Sequence, residues 1–332
     1  ALRALAMGYP DRVCVAHDVS ERRYVMVGGE PLALAHESVV RNARLLVAPV
    51  IAGQTRNRDT IGAVASRGLI RMASHIERDW LDELYPGRRT REVVVDFDDT
   101  RERVMAHERE LFDGICLAES VVSVDASADP AQVARLLAQK ASLNLERAFG
   151  LSADDQRFLQ RLDRLRQWFP ELELPELLEH DAEAGDDATA SILLQICWGK
   201  RGFDGLRRVD LPQVLRGYLN HDQLRTLDEH VPDRYQVPSG SQIRIDYPPG
   251  EPPVLAVRIQ EIFGMAKTPT VARGQVPLVL HLLAPNYRPV QVTQDLESFW
   301  QNTYPEIRKE YRSRYPRHPW PDDPMSAPAI RK

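Results

Sequence analysis

Apolar and polar positions change period three times along this chain. Residues 11–125 read mostly as strand. Val13, Val15, Val25, Val27 and the run over 45–51 are short, β-branched or apolar, and separated by turn formers such as Gly28-Gly29. Residues 60–65, 92–97, 103–108 and 115–124 continue the set, and one helix is expected over 69–84. Five or more short strands broken by one helix fit a small closed barrel, and periodicity alone admits several kinds.

Residues 126–232 read as helical. Asp129-Pro130 supplies a capping residue and a first-turn proline. Val133, Leu136, Leu137, Leu143 and Leu145 mark the apolar side of that helix. Ser152 and Asp155 have capping-box spacing, followed by Phe158, Leu159, Leu162, Leu165 and Trp168 at helical steps. Leu193, Leu194, Ile196 and Trp198 supply a further apolar face. The acidic stretch 171–187 reads as a solvated connector.

Residues 233–324 return to strands and end in a helix. Ile243, Ile245 and Tyr247 share one face, residues 254–259 form a second strand, and 276–283 is nearly all apolar, as in a strand buried on both sides. Residues 289–293 pair with it across the turn Ala284-Pro285-Asn286-Tyr287-Arg288. Leu296, Phe299, Trp300, Tyr304, Ile307 and Tyr311 then recur at three- and four-residue steps, which predicts a helix of about five turns capped by Asp295. Trp300 and Phe299 are expected to pack against Leu278, Leu280 and Leu282 or their neighbours.

The fold class expected is therefore α+β and multidomain. Residues 1–10 are the end of a helix, 11–125 a barrel, 126–232 a helical connector and 233–324 a sheet with a long helix; 325–332 form a tail. The chain lacks a starting Met and opens mid-pattern, so it reads as a piece continuing an upstream helix.

Hydrophobic residues make up 43% of 332, enough for two or three cored domains. The formal net charge of −5 does not announce a polyanion-binding surface, but its distribution is uneven. From Asp233 onward there are 13 Lys/Arg against 10 Asp/Glu, a local +3, which leaves −8 for the rest. The positive end concentrates in Arg308, Lys309, Arg312, Arg314 and Arg317, interleaved with Tyr311, Tyr315, His318 and Trp320. Cations beside stackable rings can hold phosphates and bases. The same pattern also describes a solvated helix face whose aromatics belong to the core. Glu306 and Glu310 lie within a turn and could neutralise Arg308 and Lys309. Arg12, Arg22 and Arg23, near turns of the barrel, are the second candidate set.

Several chemistries find no support. Cys14, Cys116 and Cys197 are odd in number and far apart, which suits a reducing compartment rather than a disulfide framework. No run of eighteen apolar residues occurs, so no membrane span is expected. No G-x-x-x-x-G-K-[ST] phosphate loop is present. Asp228-Glu229-His230-Val231 resembles a helicase metal-binding tetrapeptide but falls at the end of a polar helix, where it cannot serve a phosphate loop. The nine histidines have no metal-ligand spacing. No catalytic residue, cofactor-binding residue or metal ligand is assigned.

Certain stretches carry a resemblance. VPSGSQIRIDY, PPVLAVRIQEIFG, VPLVLHLLAP, RPVQVTQDLESFW and RKEYRSRYPRHPWPDDP, spread over about ninety residues, resemble the C-terminal domain of the HrpB family of bacterial ATP-dependent helicases of the DEAH/RHA group. AMGYPDRVCV, RYVMVGGEPLAL and LLVAPVIAG are similar to that family's oligonucleotide-binding-type barrel. The resemblance selects that barrel among those the pattern admits. It also implies two RecA-like motor domains upstream, carrying ATP and Mg²⁺ outside this stretch, and RNA or another single-stranded nucleic acid as partner. A cytoplasmic location is expected. Two functions remain open: an accessory nucleic-acid-binding region of a helicase, or a docking module without nucleic-acid contact. Neither expects ATP hydrolysis by this chain alone.

Overall fold

The computed structural model describes residues 2–53, 68–174 and 192–331. The protein is α+β and multidomain. It divides into two compact units, Ala1–Leu137 with Trp198–Gly202, and Ala138–Cys197 with Phe203–Lys332. The expected strand at 60–65 and most of the acidic connector lie outside the described residues.

In the first unit a helix, Leu2–Gly8, precedes a closed five-stranded barrel. Its strands are β1 (Val13–Asp18), β2 (Arg23–Met26), β3 (Pro31–Leu34), β4 (Leu45–Ala52) and β5 (Gly68–His75), in the order β1-β2-β3-β5-β4. β3 and β5 run parallel and the other pairs antiparallel. The interior is filled by Cys14, Tyr24, Leu32, Leu34, Leu46, Ala48 and Ile70. The one phenol among them is satisfied, because Tyr24 donates to the Ala43 carbonyl at 2.8 Å. A second core lies on one outer flank, where Val13, Leu45 and Val47 meet Ile76, Leu81, Tyr85, Phe112 and Ile115.

Two expectations are corrected here. The helix anticipated over 69–84 is confined to Arg78–Leu84; the segment before it is β5, which closes the barrel. A short apolar run is ambiguous by period, and pairing with β3 and β4 outweighs local propensity. The later strands do not extend the barrel. β6 (Arg89–Asp98), β7 (Arg103–Phe112) and β8 (Ile115–Val122) form their own antiparallel sheet in the order β6-β7-β8. Residues 198–202 join this unit through backbone contact: Val104 N–H donates to the Arg201 carbonyl at 2.7 Å, and Gly202 bridges to Arg103. A Cβ at Gly202 would lie 2.7 Å from the Glu102 carbonyl oxygen, so only glycine permits this approach.

The second unit combines helices and a sheet. Ser152 and Asp155 form the expected reciprocal capping box at the start of Ala153–Trp168. Leu143 is exposed and Leu145 starts the next helix, because Asn144 caps Leu145–Phe149; neither completes the apolar side assigned to Pro130–Leu143. Trp198 is likewise exposed rather than part of an apolar helix face. Short helices at Ile192–Cys197, Phe203–Leu206, Leu211–Tyr218 and His221–His230 lead into the sheet.

Its strands are β9 (Arg234–Gln236), β10 (Gln242–Asp246), β11 (Val254–Arg258), β14 (Val279–Leu283) and β15 (Pro289–Thr293), in the order β15-β14-β11-β10-β9; β12 (Thr270–Val271) and β13 (Val276–Pro277) make a separate hairpin. β11 and β14 are parallel, and β14 and β15 pair antiparallel as expected. Buried polar ties join helices to sheet. Arg164, 7% exposed, donates to the Glu251 carbonyl at 2.7 Å, and Tyr247 donates to the Pro232 carbonyl at 2.7 Å.

The last helix runs over residues 296–314 and is capped by Asp295, whose carboxylate accepts from Ser298 N–H at 2.9 Å. It contains a wide turn at Phe299–Thr303, where Tyr304 N–H reaches back to the Phe299 carbonyl. Pro305 follows directly and has no N–H to offer, which relieves the need for regular bonding there. Phe299, Trp300 and Tyr304 are buried; Trp300 and Tyr304 meet Phe263 tilted or edge-on, and Phe299 meets Trp300 and Tyr304 edge-on. Leu278, Leu280 and Leu282 are fully buried in the same unit.

Candidate nucleic-acid interface

The terminal basic segment folds back on its own helix. Four prolines at 316, 319, 321 and 324 prevent the helix from continuing. The returning segment is then held by the helix itself. Tyr304 donates to the Pro321 carbonyl at 3.1 Å, Arg308 Nε to the Trp320 carbonyl at 3.0 Å, and Trp320 Nε1 to the Tyr315 carbonyl at 3.2 Å. Trp320 is 6% exposed and lies against Tyr311, with centroids 5.6 Å apart. Burial pushes the Tyr304 phenol well above its ordinary pKa, so it remains a neutral donor.

This geometry separates the predicted residues by role. Arg308 is a strut: besides the Trp320 carbonyl, its guanidinium pairs with Asp322. Trp320 is a buried wedge and presents no free face for a base. Arg314 is exposed and pairs with Glu310, one turn back, at 3.6 Å. Glu310 thus serves Arg314, and Asp322, which sequence reasoning missed, serves Arg308. Lys309, Arg312 and Arg317 are exposed and form no ion pair among the described residues. Tyr315 is half-buried and stacks on Tyr311 at 5.7 Å and 22°. The open cations therefore stand on a scaffold of rings and prolines rather than on a loose tail.

The barrel set lies in the other unit and is more committed. Arg22 adopts a left-handed backbone, with φ of 57°, and its guanidinium donates to the Ala35 carbonyl at 2.8 Å. Arg12 donates to the Pro49 carbonyl at 2.9 Å and lies over the Tyr9 ring. Both brace the barrel. Arg23 is exposed on β2 and pairs with Glu21 at 3.0 Å. Among the described residues no cluster of His, Cys, Asp and Glu could hold a metal ion, and no helix is long and apolar enough to cross a membrane.

Known proteins resemble this arrangement along the whole chain. Residues 192–324 match the HrpB-type ATP-dependent helicase C-terminal family, a stretch that takes in the helices from Ile192 as well as the sheet and the basic helix. The chain is 33% identical over 333 residues to the ATP-dependent RNA helicase HrpB of Escherichia coli, covering 99% of this chain and 39% of the relative. The crystal structure of the E. coli DExH-box NTPase HrpB superposes with a TM-score of 0.54 at 30% identity, covering 100% of this chain and 39% of that one. The chain thus spans about two fifths of the length of these relatives. Motif strings, barrel, end domain and full-length alignment agree, and the chain belongs to the HrpB family, corresponding to its C-terminal part.

Proposed function

We propose that this chain is the accessory C-terminal region of an ATP-dependent RNA helicase, and that it holds single-stranded RNA through the end of its last helix. Lys309, Arg312 and Arg317 contact phosphates in this reading. Arg314 joins them by giving up its exposed pair with Glu310, and Tyr315 offers a ring edge to a neighbouring base. The observation that carries the reading is the division of labour within one cluster. Arg308 and Trp320 are consumed in building it, whereas three cations face solvent with no carboxylate partner among the described residues. Guanidinium groups at such a position can make paired bonds to phosphate oxygens. Arg23 on the barrel provides a further, separate contact. The parent protein would carry ATP and Mg²⁺ in RecA-like motor domains joined to this region in cis, and would work in the cytoplasm.

The test is binding of a fluorescent single-stranded RNA to the wild type and to Lys309→Ala/Arg312→Ala/Arg317→Ala across a salt series. Phosphate binding predicts a lower affinity for the variant, and a salt slope shallower by about 0.7 for each phosphate it no longer neutralises. Equal affinities and equal slopes would remove the cluster from the interface. A docking module would instead bind its protein partner with little salt dependence.

A further inference from the structure

The turn between β14 and β15 places a large ring where the backbone favours glycine. Ala284 N–H donates to the Arg288 carbonyl and Tyr287 N–H to the Ala284 carbonyl, both at 2.9 Å, which closes a tight turn. Its last loop position is left-handed, and in such turns that position is ordinarily Gly or Asn. Here it is Tyr287, with φ of 65°. A residue with a Cβ adopts this conformation at a cost. The ring gains no burial in return, because Tyr287 is 66% exposed. The backbone hydrogen bonds of the turn do not require a phenol.

The ring is nevertheless held in place. The Arg258 guanidinium lies 5.1 Å from its centroid, and the Arg258 side chain is only 13% exposed. Arg258 is fixed from beneath: its Nε donates to Glu261 Oε1 at 2.7 Å, and a second nitrogen donates to the Arg331 carbonyl. Glu261 is 4% exposed, and its other oxygen accepts from the Ser239 hydroxyl at 3.2 Å. A buried ion pair thus sets the guanidinium, and the guanidinium sets one face of the phenol. The exposure of the ring leaves its other face to solvent.

Beside this ring is a pocket of about 280 Å³, lined by Ser241, Gln242, Ile243, Arg258, Leu283 and Tyr287 among others. Its volume lies just below the range of about 300–1,000 Å³ that holds drug-sized ligands, so it suits one planar ring system rather than an extended molecule. Ile243 and Leu283 are apolar walls, and Gln242 and Ser241 add hydrogen-bonding groups. A flat π-system with donors and acceptors on its edge matches those walls, and a stacked ring over a fixed cation is a sequence-tolerant way of holding it. We propose that this pocket takes one unstacked nucleobase of a single-stranded RNA, with Tyr287 as its stacking surface. The inference rests on the reading that this region binds RNA, and it adds a base contact distinct from the phosphate contacts of the last helix.

The test uses the full 332-residue chain and a single-stranded RNA decamer carrying one 2-aminopurine, whose fluorescence falls on stacking. Tyr287→Gly removes the ring and suits the left-handed backbone, so it folds with an unchanged or higher Tm. It is expected to lose the stacking quench and to weaken binding about tenfold, within the range of one base–aromatic stack. Its salt slope stays that of the wild type. Tyr287→Phe retains both quench and affinity. Wild-type quench and affinity in Tyr287→Gly would overturn this inference while leaving the phosphate contacts intact. Absence of RNA binding by the wild type would instead overturn the RNA reading beneath it.

Discussion

Arg308 Nε donates to the carbonyl oxygen of Trp320 across 3.0 Å, and this bond returns the proline-rich tail to the helix that precedes it. The same guanidinium pairs with Asp322, but Asp322 is so exposed that solvent screens most of that attraction. Arg308 is therefore a structural member of a cluster in which Lys309, Arg312 and Arg317 are the open cations. Arg308→Ala should destabilise the unit by about 1–2 kcal/mol, because it removes a charge-assisted bond to a carbonyl. Chemical denaturation measures this. An unchanged midpoint would mean that the tail is held without Arg308.

Trp300 should matter more. It is 7% exposed, its Nε1 donates to the Met265 carbonyl at 2.9 Å, and its ring meets Phe263, Phe299 and Tyr304. Trp300→Ala removes this packing and leaves a carbonyl without its donor. A loss of about 3–5 kcal/mol is expected, visible as a clear fall in Tm by circular dichroism. Trp300→Phe should recover part of it.

Gly202 tests why residues 198–202 belong with the first unit. Gly202→Ala would bring a Cβ within 2.7 Å of the Glu102 carbonyl oxygen and 2.8 Å of Arg103 Cβ. The clash involves backbone, so it cannot be relieved by rotating a side chain. The expected destabilisation is about 1–3 kcal/mol. Urea titration of the variant reports it, and a wild-type midpoint would show that the bridge to Arg103 is dispensable.

The thiols should differ sharply in reactivity. Cys14 lies inside the barrel, and burial pushes its pKa up to about 12 from 9.0; Cys197 is also buried, and Cys116 is exposed. A thiol-reactive dye should label one cysteine rapidly in the native chain and all three in denaturant. Because the folded pKa of Cys14 is the higher one, its contribution to stability is fully present below pH 9.0 and is lost as pH rises through about 12. Rapid native labelling of Cys14 would mean that the barrel opens readily.

Local chemistry was the most legible part of the chain. The capping box of Ser152 and Asp155, the Asp295 cap and the β14–β15 pairing follow from neighbours in sequence, and they stand in the structure as expected. Turn chemistry was less complete. Asn286-Tyr287 marks a turn, but the left-handed conformation of Tyr287 and the guanidinium beneath it become visible only when β11 is placed beside β14.

The candidate interface divides in the same way. Composition and spacing located the basic cluster at residues 308–317. Neither could say which of its cations was free, because the partners of Arg308 lie 12 and 14 residues downstream and meet it only after the prolines turn the chain back. Likewise, residues 68–75 have a period that admits helix or strand, and only long-range pairing with β3 and β4 makes them the strand that closes the barrel. The sequence by itself determined what depends on short-range sterics and hydrogen bonding: caps, turns, alternation, the two ends of the α+β pattern and the motif strings of the family. The tertiary structure decided which strands share a sheet, which arginines are struts and which face solvent. Those outcomes depend on burial and on partners far along the chain, and local propensity is too weak to determine them.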